Sequence, residues 1–501
     1  MEQHDLNHEL PEYREQIHAL KMSNGHFARL FDEYHDVNRH VVRVEVHAET
    51  ATDFELEDLK KCRLKLKDEL YEMLKSASVN RFTVSPSRWE ERLRALFFMV
   101  GPGRIAPMIP YWRLSGYYFF YFAFIGAFSP YFGLYLQSIG VSAAQIALLM
   151  SLMSVMRMLA PTLWGWLADR LGVRTPIVRL SAVLSMAGFA GFLVTDAYVG
   201  LFLSMAFLSF FWSAALPLVE TLTFSHLGGQ ASRYGNIRVW GSIGFVLAVL
   251  GLGYLLDGLP VRALLWITLV LLAGIAFCAM LIPEAGRPGA PPRPVALGEI
   301  LRRPEVAGLL AACFFMSAAH GALYVFYSLH LVAHGYSKSL IGWMWTLGVV
   351  AEIAVFMAMP QILRAYSLRG LMIFSFVAAV LRFVLIGWGA ESVAVLVFAQ
   401  VLHGATFGVY HAAAVAAVNR WFGAQHQARG QALYGSISFG AGGMIGGLVS
   451  GYTWESVGPE WTYSLGSLFA FAGLMVLLVW WKDGGPAQLG SNDVQGGRKG
   501  L

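Results

Sequence analysis

From about Trp112 onward the chain reads as twelve strongly apolar stretches, the first ending near Gln137 and the last running from about Trp461 to Trp481. Numbered 1 to 12 in chain order, each is long enough to cross a hydrocarbon core of about 30 Å, which takes about 20 apolar residues in helical form. Only internally hydrogen-bonded helices or closed barrels satisfy the backbone in lipid. The pattern therefore predicts an all-α, twelve-transmembrane-helix bundle. Its short loops leave almost no room for a soluble catalytic domain, so no enzyme is expected and function is expected inside the bundle.

Residues 1–80 follow another rhythm. Leu30, Tyr34, Val37, Val41 and Val44 are spaced four, three, four, three, a heptad seam. A break at Glu49–Asp53 follows, with Asp53 placed to cap a second helix that carries Leu56, Leu59, Leu66, Leu70 and Met73 among Lys and Glu. This predicts a soluble helical hairpin able to self-associate. The ordered segments HFARLFDEYHDVNRHVVRVE and LEDLKKCRLKLKDELYEMLK, within residues 8–76, resemble the YdcH-like family of small bacterial coiled-coil proteins of unknown function. Residues 1–80 are highly charged, unlike a basic-then-apolar leader. Residues 81–107, with Pro86, Gly101, Pro102, Gly103 and Pro107, read as a linker. Two neighbouring reading frames joined ahead of Met108, or a regulatory fusion, both fit.

Composition agrees with a membrane protein: 56% of residues are hydrophobic and 14% charged, where soluble domains carry about 25% charged residues. The net charge of +5 is not spread evenly. Arg92, Arg94, Arg104 and Arg113 precede span 1, and alternate loops carry Arg170, Arg174 and Arg179, then Arg233 and Arg238, and so on to Arg420 and Arg429. The intervening loops offer only Arg262 and Lys338. The positive-inside rule places both termini and the central loop in the cytoplasm of a bacterial inner membrane, with lipid rather than nucleic acid around the chain. Cys62, Cys278 and Cys313 lack metal spacing, and no HExxH or phosphate-binding Gly-Lys-Ser/Thr loop occurs. No cofactor, metal or catalytic residue is expected.

The Pro- and Gly-rich central loop, residues 284–304, separates a six-span half (108–283) from a second (305–483), with a tail at 484–501 expected to be disordered. RYGNIRVWGSIGFVLAVLGLGYL in span 5 aligns with ARGQALYGSISFGAGGMIGGLVSG in span 11 at an offset of 194, which also carries Trp112 onto Val306. This argues for a duplicated six-helix unit with a site between halves. The loop Gly165-Trp-Leu-Ala-Asp169-Arg170-Leu-Gly172-Val-Arg174 resembles the signature between spans 2 and 3 of the major facilitator superfamily. Gly165 is expected to let helices approach, Asp169 to sit at a helix end, and Arg170 and Arg174, beside Gly172, to latch neighbouring helices as a gate. With FGLYLQSIGVSAAQI and RYGNIRVWGSIGF, residues 108–483 are similar to the phenylpropionate permease branch, a relative of the lactose permease group.

Charges in apolar spans cost about 2.5–3.5 kcal/mol at the bilayer centre and so face the interior. They are few: Arg157, Glu220, Glu352 and Arg382. Glu352 and Arg382 sit at a common depth of about 17 Å on spans 8 and 9, which predicts an ion pair between them. With His403 they resemble the proton-coupling cluster of lactose permease, although Phe407 and Gly408 replace its second span 10 carboxylate. In this superfamily spans 1, 4, 7 and 10 line the cavity. The resemblance therefore implies walls built from Trp212 and Glu220, His320 and Tyr324, and Gln400, His403, Phe407 and His411. Span 1 repeats Tyr117, Tyr121, Phe124, Phe128, Tyr131 and Tyr135 on one face, which would suit an aromatic substrate, with Arg157 near its carboxylate. The expected function is proton-coupled import of a small organic solute, an aromatic carboxylate such as phenylpropionate. Alternatives are sugar or nucleoside symport, drug-type efflux, or a membrane sensor or scaffold.

Overall fold

The computed structural model describes residues 24–45, 53–81, 109–285 and 298–481, with a few positions before residue 24 and residue 49. The linker, most of the central loop and the tail lie outside the described residues. The chain divides into two compact units, residues 1–101 and 102–501.

In the first unit, helices Gly25–Glu45 and Asp53–Arg81 form the hairpin. The seam residues Leu30, Tyr34, Val41 and Val44 are buried, and a core of Phe27, Phe31, Leu66, Leu70 and Leu74 closes around them. Arg63 Nη1 donates to the buried Asn38 Oδ1 at 3.0 Å across the two helices, which fixes their register.

Among the described residues the second unit holds twelve helices long and apolar enough to span a membrane: Tyr111–Ser138, Ala143–Leu171, Thr175–Val194, Tyr198–Leu227, Tyr234–Gly258, Ala263–Leu281, Pro304–Ala333, Lys338–Ala365, Leu368–Trp388, Val393–Gly423, Arg429–Ser456 and Pro459–Trp480. Equivalent spans start 193 to 196 residues apart, as Tyr111 and Pro304 (193) or Ala263 and Pro459 (196), so the repeat holds helix by helix. The terminal face carries the start of span 1 and the end of span 12. The opposite, distal face carries the loops between spans 1 and 2 and between spans 7 and 8.

Helix ends are satisfied by charge. Glu284 Oε2 accepts from Arg174 N and Thr175 N at 3.0 and 2.9 Å, capping span 3. Arg113 and Arg179 donate to carbonyls of Leu281 and of Ala279 and Ile282 at the end of span 6. Arg369 does the same for Trp481 at the end of span 12.

Three spans depart from regular helix. Span 7 breaks at His320, between Pro304–Ala319 and Gly321–Ala333. Span 10 is π-helical over Gly404–Val409 and span 11 over Ser436–Gly442. The glycine run of span 11 works as a packing strip: a Cβ on Gly446 would collide with the Ala318 backbone of span 7.

Candidate functional site

A cavity of about 280 Å³ lies between the halves. Span 1 contributes Phe122, Ile125 and Ser129, and span 5 adds Arg238, Ser242 and Phe245. The second half faces them with Tyr324 of span 7, Trp345 and Glu352 of span 8, Arg382 of span 9, and Gln400, His403 and Phe407 of span 10. Phe122, Ile125 and Ser129 recur at i, i+3 and i+7, one face of span 1.

The charges have distinct settings. The Arg238 guanidinium lies 3.8 Å from the centroid of the Phe122 ring, a cation–π contact at the cavity wall. Across from it, Glu352 Oε2 is 3.7 Å from His403 Nε2. Arg382 is buried and donates only to neutral acceptors: Nε to Ala399 O (2.9 Å), Nη2 to Gln400 Oε1 and Nη1 to Thr406 Oγ1 (both 3.1 Å). Its Nη1 also lies 3.5 Å from His320 Nε2. His320 Nδ1 faces Met316 O at 2.8 Å, so Nδ1 carries the proton and Nε2 is left to accept from Arg382. The expected Glu352–Arg382 ion pair does not form. Spans 8 and 9 are neighbours in sequence, but span 10 packs against both and supplies the acceptors that hold Arg382: Ala399 and Gln400 from its first helical segment and Thr406 from its π-turn.

Of the expected substrate-binding residues, Tyr324, Gln400, His403 and Phe407 line the cavity, whereas Tyr121, Phe124, Arg157, Trp212, Glu220 and His320 do not. The aromatic face of span 1 turns into the first half instead. Tyr121 stacks on Trp212 (4.7 Å, 5°), and Phe124, Phe128 and Phe132 continue the column to Phe192. The rings of this face bury more apolar surface by packing on one another than by lining a polar cavity. Glu220 accepts from Tyr234 Oη at 3.3 Å, and His320 sits behind Arg382. His411 bonds Tyr434 Oη at 2.9 Å.

Arg157 is exposed at mid-depth, yet lies nine residues, two and a half turns, from the exposed Leu148 and Trp166 of the lipid-facing row. It therefore points into the bundle, toward solvent. Glu352 lies nine residues from the exposed Trp343 and Gln361, and 195 residues from Arg157. The two are equivalent positions in the repeat, one basic and one acidic.

At the expected gate, Arg174 Nη2 lies 3.5 Å from Asp169 Oδ1, Arg170 covers the Trp166 ring at 5.3 Å, and Gly172 ends span 2 at φ +68°. Gly165 corrects an expectation: a Cβ there would meet nothing within 4 Å, so no helix approaches it in this conformation. Sequence reading also missed Arg238, counted only as a loop charge. It is the fifth residue of span 5, about 6 Å inside the helix, and the motif around it was the available signal. No cluster of three or more His, Cys, Asp or Glu among the described residues is placed to hold a metal.

Residues 111–465, about seven-tenths of the chain, match the MFS_1 like family. The chain belongs to that family. It is a multi-pass membrane protein and a secondary transporter of the MFS type. It is 27% identical over 354 residues to the probable 3-phenylpropionic acid transporter of Escherichia coli (strain K12), covering 69% of this chain and 92% of that one. The crystal structure of the nucleoside transporter NupG shares the fold, with a TM-score of 0.65 at 18% identity over 75% of this chain and 100% of that one. Residues 27–74 match a family of unknown function, DUF465. In that region the chain is 36% identical over 69 residues to the uncharacterized protein YdcH of Escherichia coli (strain K12), covering 14% of this chain and 93% of that one.

Proposed function

We propose that this transporter imports a small aromatic carboxylate, of the 3-phenylpropionate type, together with a proton. The observation that carries the reading is the polarity of the cavity: Arg238 on one half, Glu352 and His403 on the other, and rings of Phe122, Tyr324, Trp345 and Phe407 between them. Arg238 would pair with the substrate carboxylate, a charge-assisted contact. The rings would stack on the substrate ring. Glu352, facing an imidazole, would bind and release the proton, and Arg382 would hold span 10 in place. The positive loops favour a cytoplasmic terminal face in the bacterial inner membrane, and the solvent-facing Arg157 then belongs to an inward-facing opening.

A second reading, symport of a sugar or nucleoside, is favoured by Gln400 and Glu352, which offer hydrogen-bond acceptors to hydroxyl groups. Uptake into membrane vesicles carrying an imposed proton gradient, with labelled phenylpropionate, sugar and nucleoside in parallel, separates the readings. Gradient-dependent accumulation of the acid, lost in Arg238→Gln, is the expected result. Accumulation of neutral solutes alone would select the second reading. Binding without accumulation would instead identify a sensor.

A further inference from the structure

The two halves meet at the distal face through a contact that occurs twice. At the end of span 5, Asp257 Oδ1 accepts from Lys338 N at 2.7 Å and Oδ2 from Ser339 N at 3.1 Å. These are the first two N–H groups of span 8, which no intrahelical carbonyl can reach. The third is taken by Ser337 Oγ, so the carboxylate from the other half completes the helix cap. At the end of span 11, Glu455 Oε1 accepts from Ala143 N at 2.7 Å, the first N–H of span 2. Spans 5 and 11 are repeat equivalents, as are spans 2 and 8.

Each carboxylate stands beside a glycine that brings the helices together. A Cβ on Gly253 would fall 2.7 Å from Lys338 O and 2.9 Å from Tyr131 Oη, and one on Gly451 would collide with Ala147. Tyr131 Oη, held on span 5 by Val249 O at 2.7 Å, reinforces the first seam by also donating to Lys338 O at 3.3 Å. Rocking of the halves opens these seams, and each loses a carboxylate from the positive end of a helix.

We infer that Asp257 and Glu455 are paired clasps that hold the distal face closed and set the balance between the two transport conformations. Residues deep in the cavity then govern what is carried, and these two govern how long each conformation lasts. The inference does not depend on which solute is carried. By this account neither carboxylate touches substrate.

The test is a distance measurement by double electron–electron resonance on the full chain in lipid nanodiscs. Spin labels go at Gln137→Cys and Glu391→Cys, on opposite halves of the distal face, in a background lacking Cys62, Cys278 and Cys313. Asp257→Ala and Glu455→Ala should each shift the population toward the longer, open distance by about tenfold, and the double variant further. Asp257→Asn and Glu455→Gln keep one acceptor but no charge, and should shift it less in the same direction. These serve if the alanine variants do not fold. Arg262→Gln breaks an ion pair with Asp196, at 3.5 Å, inside one half of the same face and should shift nothing. Unchanged distances in both clasp variants, or an equal shift with Arg262→Gln, would overturn the inference.

Discussion

The intramembrane charges show where single-residue reasoning held and where it did not. Depth along each helix brought Glu352 and Arg382 to one level and His403 near it, and all three line the cavity. Pairing Glu352 with Arg382 failed, because adjacency in sequence says nothing about which helix stands between two others. The difference alters what a substitution should do. Arg382 is held by Ala399, Gln400, Thr406 and His320, so Glu352→Gln leaves no buried cation without its partners. Loss of a buried ion-pair partner costs about 3–5 kcal/mol; here folded yield should stay near that of the unaltered protein. Uphill accumulation should be abolished while substrate exchange continues, since exchange needs no net proton release. Full accumulation by Glu352→Gln in the vesicle assay would remove Glu352 as the proton carrier. Arg238 escaped notice because a cation near a helix start looks like any other positive loop residue until the neighbouring Phe122 ring is in view.

Element boundaries were legible because lipid leaves the chain so few options. Span 1, expected at 112–137, runs from Tyr111 to Ser138. The π-turns of spans 10 and 11 were not legible. One extra residue in a turn rotates the helix faces beyond it by about 100°, but in spans built of small and apolar residues on most sides that shift leaves no mark in the pattern, and such turns recur at functional sites. Glycines divide in the same way. The sequence shows Gly165 and Gly446 alike, but only the second meets backbone within reach of a Cβ. Gly446→Ala presses on the carbonyl of Ala318, which cannot rotate away, and overpacking of this kind costs about 1–3 kcal/mol. Its melting temperature in detergent should fall by several degrees. Gly165→Ala should leave that temperature unchanged, within about 0.5 kcal/mol. An equal loss of stability in both would mean that a helix does close on Gly165. A loss of transport by Gly165→Ala at unchanged stability would assign its close contact to the alternate conformation.

At the scale of the whole chain, the internal repeat was the strongest signal, since one register relates every span to a partner. The relation between the hairpin and the bundle is a separate question, and the residues give it a physical form. The hairpin closes its own core: Phe27, Tyr34, Leu70 and Leu74 are all but fully buried among its helices and the residues just before them. Its heptad seam, which the sequence offered for self-association, is largely consumed inside the hairpin. The bundle likewise caps its own first span, where Arg113 bonds Leu281 O and Tyr111 Oη bonds Asn236 O. A chain beginning at Met108 keeps all of these contacts, both distal clasps and every cavity residue. It is expected to insert and to transport at a rate similar to the full chain, while residues 1–80 alone should give a helical circular dichroism spectrum. Vesicle uptake, normalised to membrane abundance, decides the first point. If uptake fell severalfold in the shortened chain at equal abundance, the hairpin would be part of the transport machinery rather than a separately folded companion to it.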